Sequence, residues 1–587
     1  MNPSKAVFEW DACEADVAVT LLSEQEGVSL YRITLDYPEK RFPECIKLRW
    51  YTAFDDAYAT WTPSGRFRHD LMPSWCPVDT YARSASGAPV FSLMAKGGEN
   101  RTTFALSDAV HPVRLYAGMH EPSGKIQCSA ELFAARSEQL AHYEVLLRVD
   151  ESRRPYYEAL YGVRTWWSEV GYPAAPVPQE SRRAMFSSWY SFQKSVTEES
   201  LLEQCRLAKT FGLDTLILDD GWQCDETVSG YTYCGDWKAV SSKFPDMRRF
   251  IRRLHEMGMK CILWYSVPFV GMNAENFSRF SGKYLRPDNP ARSVMVLDPR
   301  FPDVRAWLTE TYVTALREWD LDGFKLDFVD NFFLSDESSD DYAAMDCPSP
   351  EAAVEKLLAE ITAALRKIKP DIMLEFRQTY IGPVMQKYGN IFRVSDCAGA
   401  ALFNRVSSLD LRLLMGDPTK GEASAVHSDM LMWDYDATPE GAADQLAACL
   451  FCTPQISVMF DRLTDSHRKM LACYLGFMDE YRDVLQGGYL MPLCPAANYT
   501  EAIAKKDGIC VAALYGNHVF CALPDVKKTV IVNATGTPEV FVRTEKESAV
   551  RYTVKNCMGE TVQEGSCSLT GITEFTVPHN GFLYLEG

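Results

Sequence analysis

The chain is short of positive charge, of histidine and of long apolar runs, and each shortage removes a class of function. Its 60 Lys and Arg stand against 79 Asp and Glu, a formal net charge of −19. Neutralising a phosphate backbone needs a basic field, so nucleic acid is excluded as a partner. Nine His occur in 587 residues, none at ligand spacing from another His or a Cys, so no metal is expected. No stretch approaches the roughly 18 apolar residues of a membrane span. The start, Met1-Asn-Pro-Ser-Lys5, has no basic segment leading into an apolar one, so neither a secretory leader nor a membrane is expected. No glycine-rich nucleotide loop follows the first strand of the central region, which argues against an open dinucleotide-binding sheet, and no cofactor is expected. Internal repeats and low-complexity tracts are missing as well.

What is present fits a large folded protein. The length exceeds one hydrophobic core and implies roughly two to four domains. Apolar residues make up 47% and charged residues 24%, ordinary values for a folded soluble chain. Many of the 18 cysteines fall inside apolar stretches, among them Cys205, Cys261, Cys449, Cys452 and Cys510. They read as buried free thiols in a reducing cytoplasm. The 13 Trp and 28 Tyr serve a large core first and a sugar-binding face second.

The hydrophobic period changes twice along the chain. Residues 1–172 carry short alternating runs, such as Ser29-Leu-Tyr-Arg-Ile-Thr-Leu35 and Tyr143-Glu-Val-Leu-Leu-Arg-Val149, which read as a β-sandwich. Residues 173–182 form a Pro-rich linker. Over 183–485 strand and helix patterns alternate, with strands expected at 184–190, 215–219, 260–265, 323–327, 372–376, 391–395, 424–427 and 455–459. A capping box at Ser195 and Glu198 opens the first helix and Gly212 closes it. Eight such units predict a (β/α)8 barrel. Alternation returns over 486–587 as a second, smaller sandwich. The expected fold is therefore multidomain α/β, a central TIM barrel flanked by N-terminal and C-terminal β-sandwiches.

The strand ends carry the chemistry. Gly323-Phe-Lys-Leu-Asp-Phe328 is an apolar run that ends in a carboxylate, with Lys325 and Asp327 two apart and so on one face. The barrel ends together expose Trp189, Asp219, Asp220, Trp264, Lys325, Asp327, Arg377, Asp396 and His427. Singly, each has a structural reading: Asp219 or Asp220 as a cap, Lys325–Asp327 as an internal pair, His427 as a core histidine. Gathered at one barrel mouth, they read as a site. Two carboxylates in different settings suit glycoside hydrolysis with retention. Asp327, beside a cation, is expected to stay ionised and act as nucleophile. Asp396, with no cation in its immediate sequence, is expected to have a raised pKa and act as acid/base. Asp219 and Asp220 would accept hydrogen bonds from sugar hydroxyls.

These residues resemble clan D α-galactosidases (melibiases) of families 27 and 36, and family 36 most closely. The similar stretches are Asp219-Asp220-Gly221-Trp222, Gly235-Asp236-Trp237 with Lys243-Phe244-Pro245, Gly258-Met-Lys-Cys-Ile-Leu-Trp264, Lys325-Leu-Asp327, Ser395-Asp396 and Ala425-Val-His427-Ser428. Their order and spacing agree over about 185–460. The resemblance implies a retaining, exo-acting enzyme that removes terminal α-galactose, with Asp327 as nucleophile and Asp396 as acid/base. It implies a substrate-binding set of Asp219, Asp220, Trp222, Trp237, Trp264, Lys325, Arg377, His427 and Trp189, an oligosaccharide or glycoside substrate, and a homo-oligomer. Three stretches depart from the family: Trp264-Tyr-Ser-Val-Pro268-Phe269, Glu375-Phe-Arg-Gln-Thr-Tyr380 and Cys397-Ala-Gly399. The second replaces a run that reads the 2-hydroxyl, and Arg377 there either reads a substituent or pairs with a site acid. The alternatives left open are another α-linked sugar (an N-acetylgalactosaminide, or an acidic or modified galactoside), a galactosyl transferase, and a non-catalytic carbohydrate-binding protein.

Overall fold

Eight short parallel strands close on themselves in the computed structural model, which describes residues 6–587 except 227–229, 339–341, 418, 420–422 and 523–525. The barrel strands, numbered here β1 to β8, are Met185–Ser187, Thr215–Leu218, Lys260–Ser266, Gly323–Asp327, Met373–Arg377, Ile391–Arg393, Ala425–Leu431 and Thr453–Ile456. They pair in that order and β8 returns to β1. All pair in parallel, so every carboxyl end opens at one mouth, where barrel enzymes place their chemistry. The expected TIM barrel is the observed one, and β4 has the bounds read from sequence.

Alternation builds the barrel interior in layers. Met185, Ile217, Ile262, Met373, Ile391 and Ala425 form a separate apolar cluster. Two residues further along the same strands stand Ser187, Asp219, Trp264, Glu375, Arg393 and His427, all buried. An apolar plug thus lies below a polar layer, and the polar layer floors the mouth. Gly323 has to be glycine because a Cβ there would lie 2.4 Å from the Met373 carbonyl oxygen. That closeness lets β4 pack tightly between β3 and β5.

Sheets flank the barrel on both sides in sequence, antiparallel before it and mostly antiparallel after it. A five-stranded and a six-stranded sheet occupy the N-terminal region, from Glu9–Trp10 to Leu140–Asp150, around a core that includes Trp50, Phe91 and Phe104. A seven-stranded and a three-stranded sheet follow the barrel, from Tyr489–Leu493 to Phe582–Glu586.

Several details depart from the sequence reading. A helix, Tyr156–Glu169, stands within residues read as sandwich. Tyr156 and Tyr161 donate to the carbonyls of Pro492 and Leu490, and the Trp167 indole to that of Leu106. The helix therefore ties both flanking regions together. β1 ends at Ser187, and Trp189–Phe192 is a helical turn. The first barrel helix starts two residues later than read: Thr197 caps it and Ser200 completes the capping box, because their hydroxyls reach each other's backbone N–H. β6 stops at Arg393, three residues before Asp396, and β8 lies at 453–456 rather than 455–459. After β3 the chain makes a small sheet of Phe269–Gly271, Tyr284–Pro287 and Val294–Leu297, which the sequence reading did not anticipate.

Candidate active site

Asp327 ends β4 and is almost fully buried, yet four donors meet its carboxylate. The Arg377 Nε (2.8 Å), the Tyr380 hydroxyl (2.5 Å) and the Phe328 backbone N–H (2.9 Å) donate to Oδ1. The Trp264 indole N–H donates to Oδ2 at 3.0 Å. Burial pushes the Asp327 pKa up, but Arg377, then Lys325, and the Tyr380 and Trp264 hydrogen bonds outweigh it and hold the group well below the ordinary carboxylate range. Of the two readings open for Arg377, the ion pair is the observed one, and its partner is Asp327. Tyr380, which the sequence reading quoted without a role, is the second donor on the same oxygen. Phe328 takes a left-handed conformation (φ 65°) directly after Asp327, so its N–H turns back onto the carboxylate.

Asp396 stands beyond β6 with its side chain 58% exposed, and Arg393 holds it at 2.9 Å. The expectation of a raised pKa is corrected here. Burial acts upward, but Arg393, then Lys325 and Arg377, draw the group below its ordinary value against the like charge of Asp327. The cation lay three residues before it in sequence. Arg393 is also bound by Asp429 at 2.6 Å and Glu375 at 3.5 Å, in the polar layer. Asp429, two residues past His427 on β7, accepts as well from the Tyr190 hydroxyl and the Cys397 N–H. Sequence reading missed Arg393, Asp429 and Tyr190. Continuing the alternation from Ile391 and from His427 would have marked the first two.

Asp219 and Asp220 leave β2 in opposite settings. Asp219 accepts the Lys325 ammonium at 2.5 Å, so Lys325 bonds Asp219 and acts on Asp327 through space. Asp220 Oδ1 accepts from Gln223 at 2.6 Å, and Oδ2 lies 3.4 Å from the Lys194 ammonium without a hydrogen bond among the described residues. Burial raises the Asp220 pKa to about 6. A buried acceptor with a free lone pair is suited to a hydroxyl donor. Gly221 (φ +120°) makes this corner possible, since a Cβ there would lie 2.7 Å from Lys194 Cα.

The aromatic residues and the histidine divide between mouth and wall. Trp264 touches the nucleophile candidate, and Tyr231 lies parallel to it at 6.1 Å. Trp189 is half-buried on the turn after β1. Trp222 does not reach the mouth: it is fully buried, donates to the Trp264 carbonyl and packs against Tyr265 and Trp319. Trp237 lies beside Trp222 and Tyr265, one layer behind Trp264. His427 is a core histidine. Its Nε2–H donates to the Ser181 carbonyl and its Nδ1 accepts from Gln455, and burial lowers its pKa to about 4. Ser181 precedes the first barrel strand, so this ring ties the polar layer to the segment that enters the barrel.

The N-terminal region supports the site directly. Gly87 N–H donates to the Thr379 carbonyl, bracing the loop that carries Arg377 and Tyr380, and Arg83 donates to the Asp330 carbonyl in the turn after β4. Among the described residues no group of three or more His, Cys, Asp or Glu could hold a metal, and no helix is long and apolar enough to cross a membrane.

Known proteins resemble this chain in sequence and in fold. Residues 176–375 match the family model described as Melibiase. An α-galactosidase of Lactobacillus acidophilus is 30% identical over 172 residues, 28% of this chain and 22% of that protein. The α-galactosidase AgaA of Geobacillus stearothermophilus is 26% identical over 140 residues, 23% of this chain and 19% of that protein. The aligned stretches thus span about a fifth of these curated relatives. In three dimensions the likeness is longer. The crystal structure of AgaA, a family 36 α-galactosidase, superposes with a TM-score of 0.62 at 17% identity, covering 97% of this chain and 81% of that one. The galactosidase domain of the α-galactosidase–sucrose kinase AgaSK gives 0.63 at 13%, covering 99% and 85%. The chain is similar to family 36 α-galactosidases in sequence over the first part of the barrel and in fold over nearly its whole length.

Proposed function

We propose that the chain is a glycoside hydrolase that removes terminal α-linked galactose by double displacement with retention. The observation that carries this reading is the setting of Asp327, a buried carboxylate kept ionised at a barrel mouth by Arg377, Tyr380 and Trp264. Structures similar in fold include AgaA variants in complex with stachyose and with raffinose. Oligosaccharides with a terminal galactose are accordingly the substrate class proposed here.

The donors on Asp327 divide the labour of its two oxygens. Oδ1 receives three hydrogen bonds and Oδ2 one. Oδ2 keeps a lone pair and is the oxygen that attacks the anomeric carbon. Asp396, at the mouth, gives its proton to the departing glycosidic oxygen and then takes one from the water that cleaves the glycosyl–enzyme ester. Forming the ester removes the charge of Asp327, which lowers the Asp396 pKa further and readies it as a base. Asp220, with its free acceptor, and Asp219 hold hydroxyls of the sugar.

Turnover of p-nitrophenyl α-galactoside followed by proton NMR tests the reading. The α-anomer is expected to appear first, and Asp327→Ala is expected to lose activity by several orders of magnitude. First appearance of the β-anomer would exclude retention. A mechanism-based cyclitol is expected to add covalent mass at Asp327; a carbohydrate-binding protein without catalysis would gain none.

A further inference from the structure

One tryptophan, Trp307, stands on the outward face of a barrel helix, where polar side chains are the rule, and a second, Trp319, ends the same helix on its inward side. Helix Pro302–Trp319 buries Val304, Leu308, Tyr312 and Leu316 against the barrel. Trp307, Thr311, Thr314 and Glu318 follow one another at spacings of three and four, so they share one stripe. Trp307 and Trp319 are half-buried, and Glu310 and Glu318 are exposed. Together with Trp237 they line a surface cavity of about 500 Å³ between this helix and the segment 236–247.

The cavity is rigid on its inner side. Trp237 packs on Tyr265 at 4.7 Å and on Trp222 at 6.1 Å. Trp319 meets Trp222 edge-on at 5.6 Å, and Trp307 rests on Phe280 at 4.8 Å. Indoles already fixed in place lose little entropy when a ligand covers them. Their faces suit the C–H face of a pyranose, and carboxylates and hydroxyls at the edges suit its hydroxyl groups. Three acids, Asp236, Glu310 and Glu318, against one cation, Lys238, disfavour phosphate and other anions. The volume falls in the range of small-molecule sites, roughly 300–1,000 Å³, and accommodates a short oligosaccharide.

We propose that this groove is a second glycan-binding site, outside the barrel mouth, that holds neutral oligosaccharide or polysaccharide chains while their termini are processed elsewhere. It rests on the reading that the chain acts on glycans. The probe is soluble galactomannan set in a native gel through which the full-length protein migrates. Wild type is expected to be retarded. Trp307→Ala combined with Trp319→Ala is expected to lose retardation, its apparent affinity falling about tenfold or more, with p-nitrophenyl α-galactoside turnover within about twofold of wild type. Should that pair fail to fold, Thr314→Arg fills the groove from a half-buried position and is expected to do the same. Retardation unchanged in the folded variants, or no retardation of wild type, overturns the proposal. Loss of galactoside turnover bears on the barrel mouth alone, because retardation is read without catalysis.

Discussion

Asp327 keeps its charge in a buried place because cations and hydrogen bonds there exceed the cost of burial. Arg377 leads that balance, and it acts on Asp396 as well. A nucleophile must be deprotonated, so the rate falls as pH drops through its pKa. A general acid must be protonated, so the rate falls as pH rises through its own. Arg377→Met raises both values. The kcat/KM profile is expected to move to higher pH by about one to three units on its acid limb, with a lower maximum. A profile that keeps its position would show that Arg377 does not tune the pair. Asp396→Ala is expected to slow substrates with poor leaving groups far more than activated aryl galactosides, and azide is expected to restore the latter. Equal losses on both would remove Asp396 from the acid/base role.

Among the elements, the first barrel helix is held by a local device that can be tested apart from the chemistry. Thr197 accepts from the Ser200 N–H, and the Ser200 hydroxyl accepts from the Thr197 N–H. Thr197→Ala leaves the N–H groups of the first turn without that acceptor and is expected to cost about 1 kcal/mol. The readout is a lower thermal midpoint with unchanged kcat. A loss of kcat with an unchanged midpoint would mean that the cap positions the neighbouring Lys194 corner instead. The loops at the mouth work differently: the one after β5 is braced from outside by Gly87 and the one after β4 by Arg83. Their places depend on the N-terminal region as much as on their own strands.

At the scale of the whole molecule, three regions meet at one carboxyl group. Asp410, in helix Ala401–Met415, accepts from the Trp61 indole at 2.7 Å and from the Tyr499 hydroxyl at 2.5 Å. Burial dominates its electrostatics, and the two donors only partly offset it, so the pKa rises from near 3.8 to about 7. The native state therefore holds a proton that the unfolded state has lost between those two values. Stability conferred by this group is full below the lower value and is lost as pH rises to the upper one. Asp410→Asn retains an acceptor for both donors and cannot ionise. The gap between thermal midpoints measured at pH 5 and pH 8 is expected to shrink in this variant. A gap of the same size would place the pH dependence elsewhere.

Residue order was enough to reveal the barrel, the position of β4 and the charge-bearing strand ends, because alternation and capping are local and each residue carries its own signal. It also marked Asp327, since a carboxylate closing an apolar strand is visible without neighbours. Tertiary structure alone decided who meets whom. Arg377 and Tyr380 reach Asp327 across fifty residues or more of chain. His427 and Asp396 show the limit from the other side. Period two gives the face of a strand but not the height along the barrel axis, which pairing sets: Arg393 stands opposite His427, and His427 opposite Thr453. That register leaves His427 among core groups beside Arg393, whose guanidinium meets Glu375 and Asp429 from the neighbouring strands. The Trp222 and Trp237 motifs are legible as text, yet only packing shows that they form the wall behind Trp264.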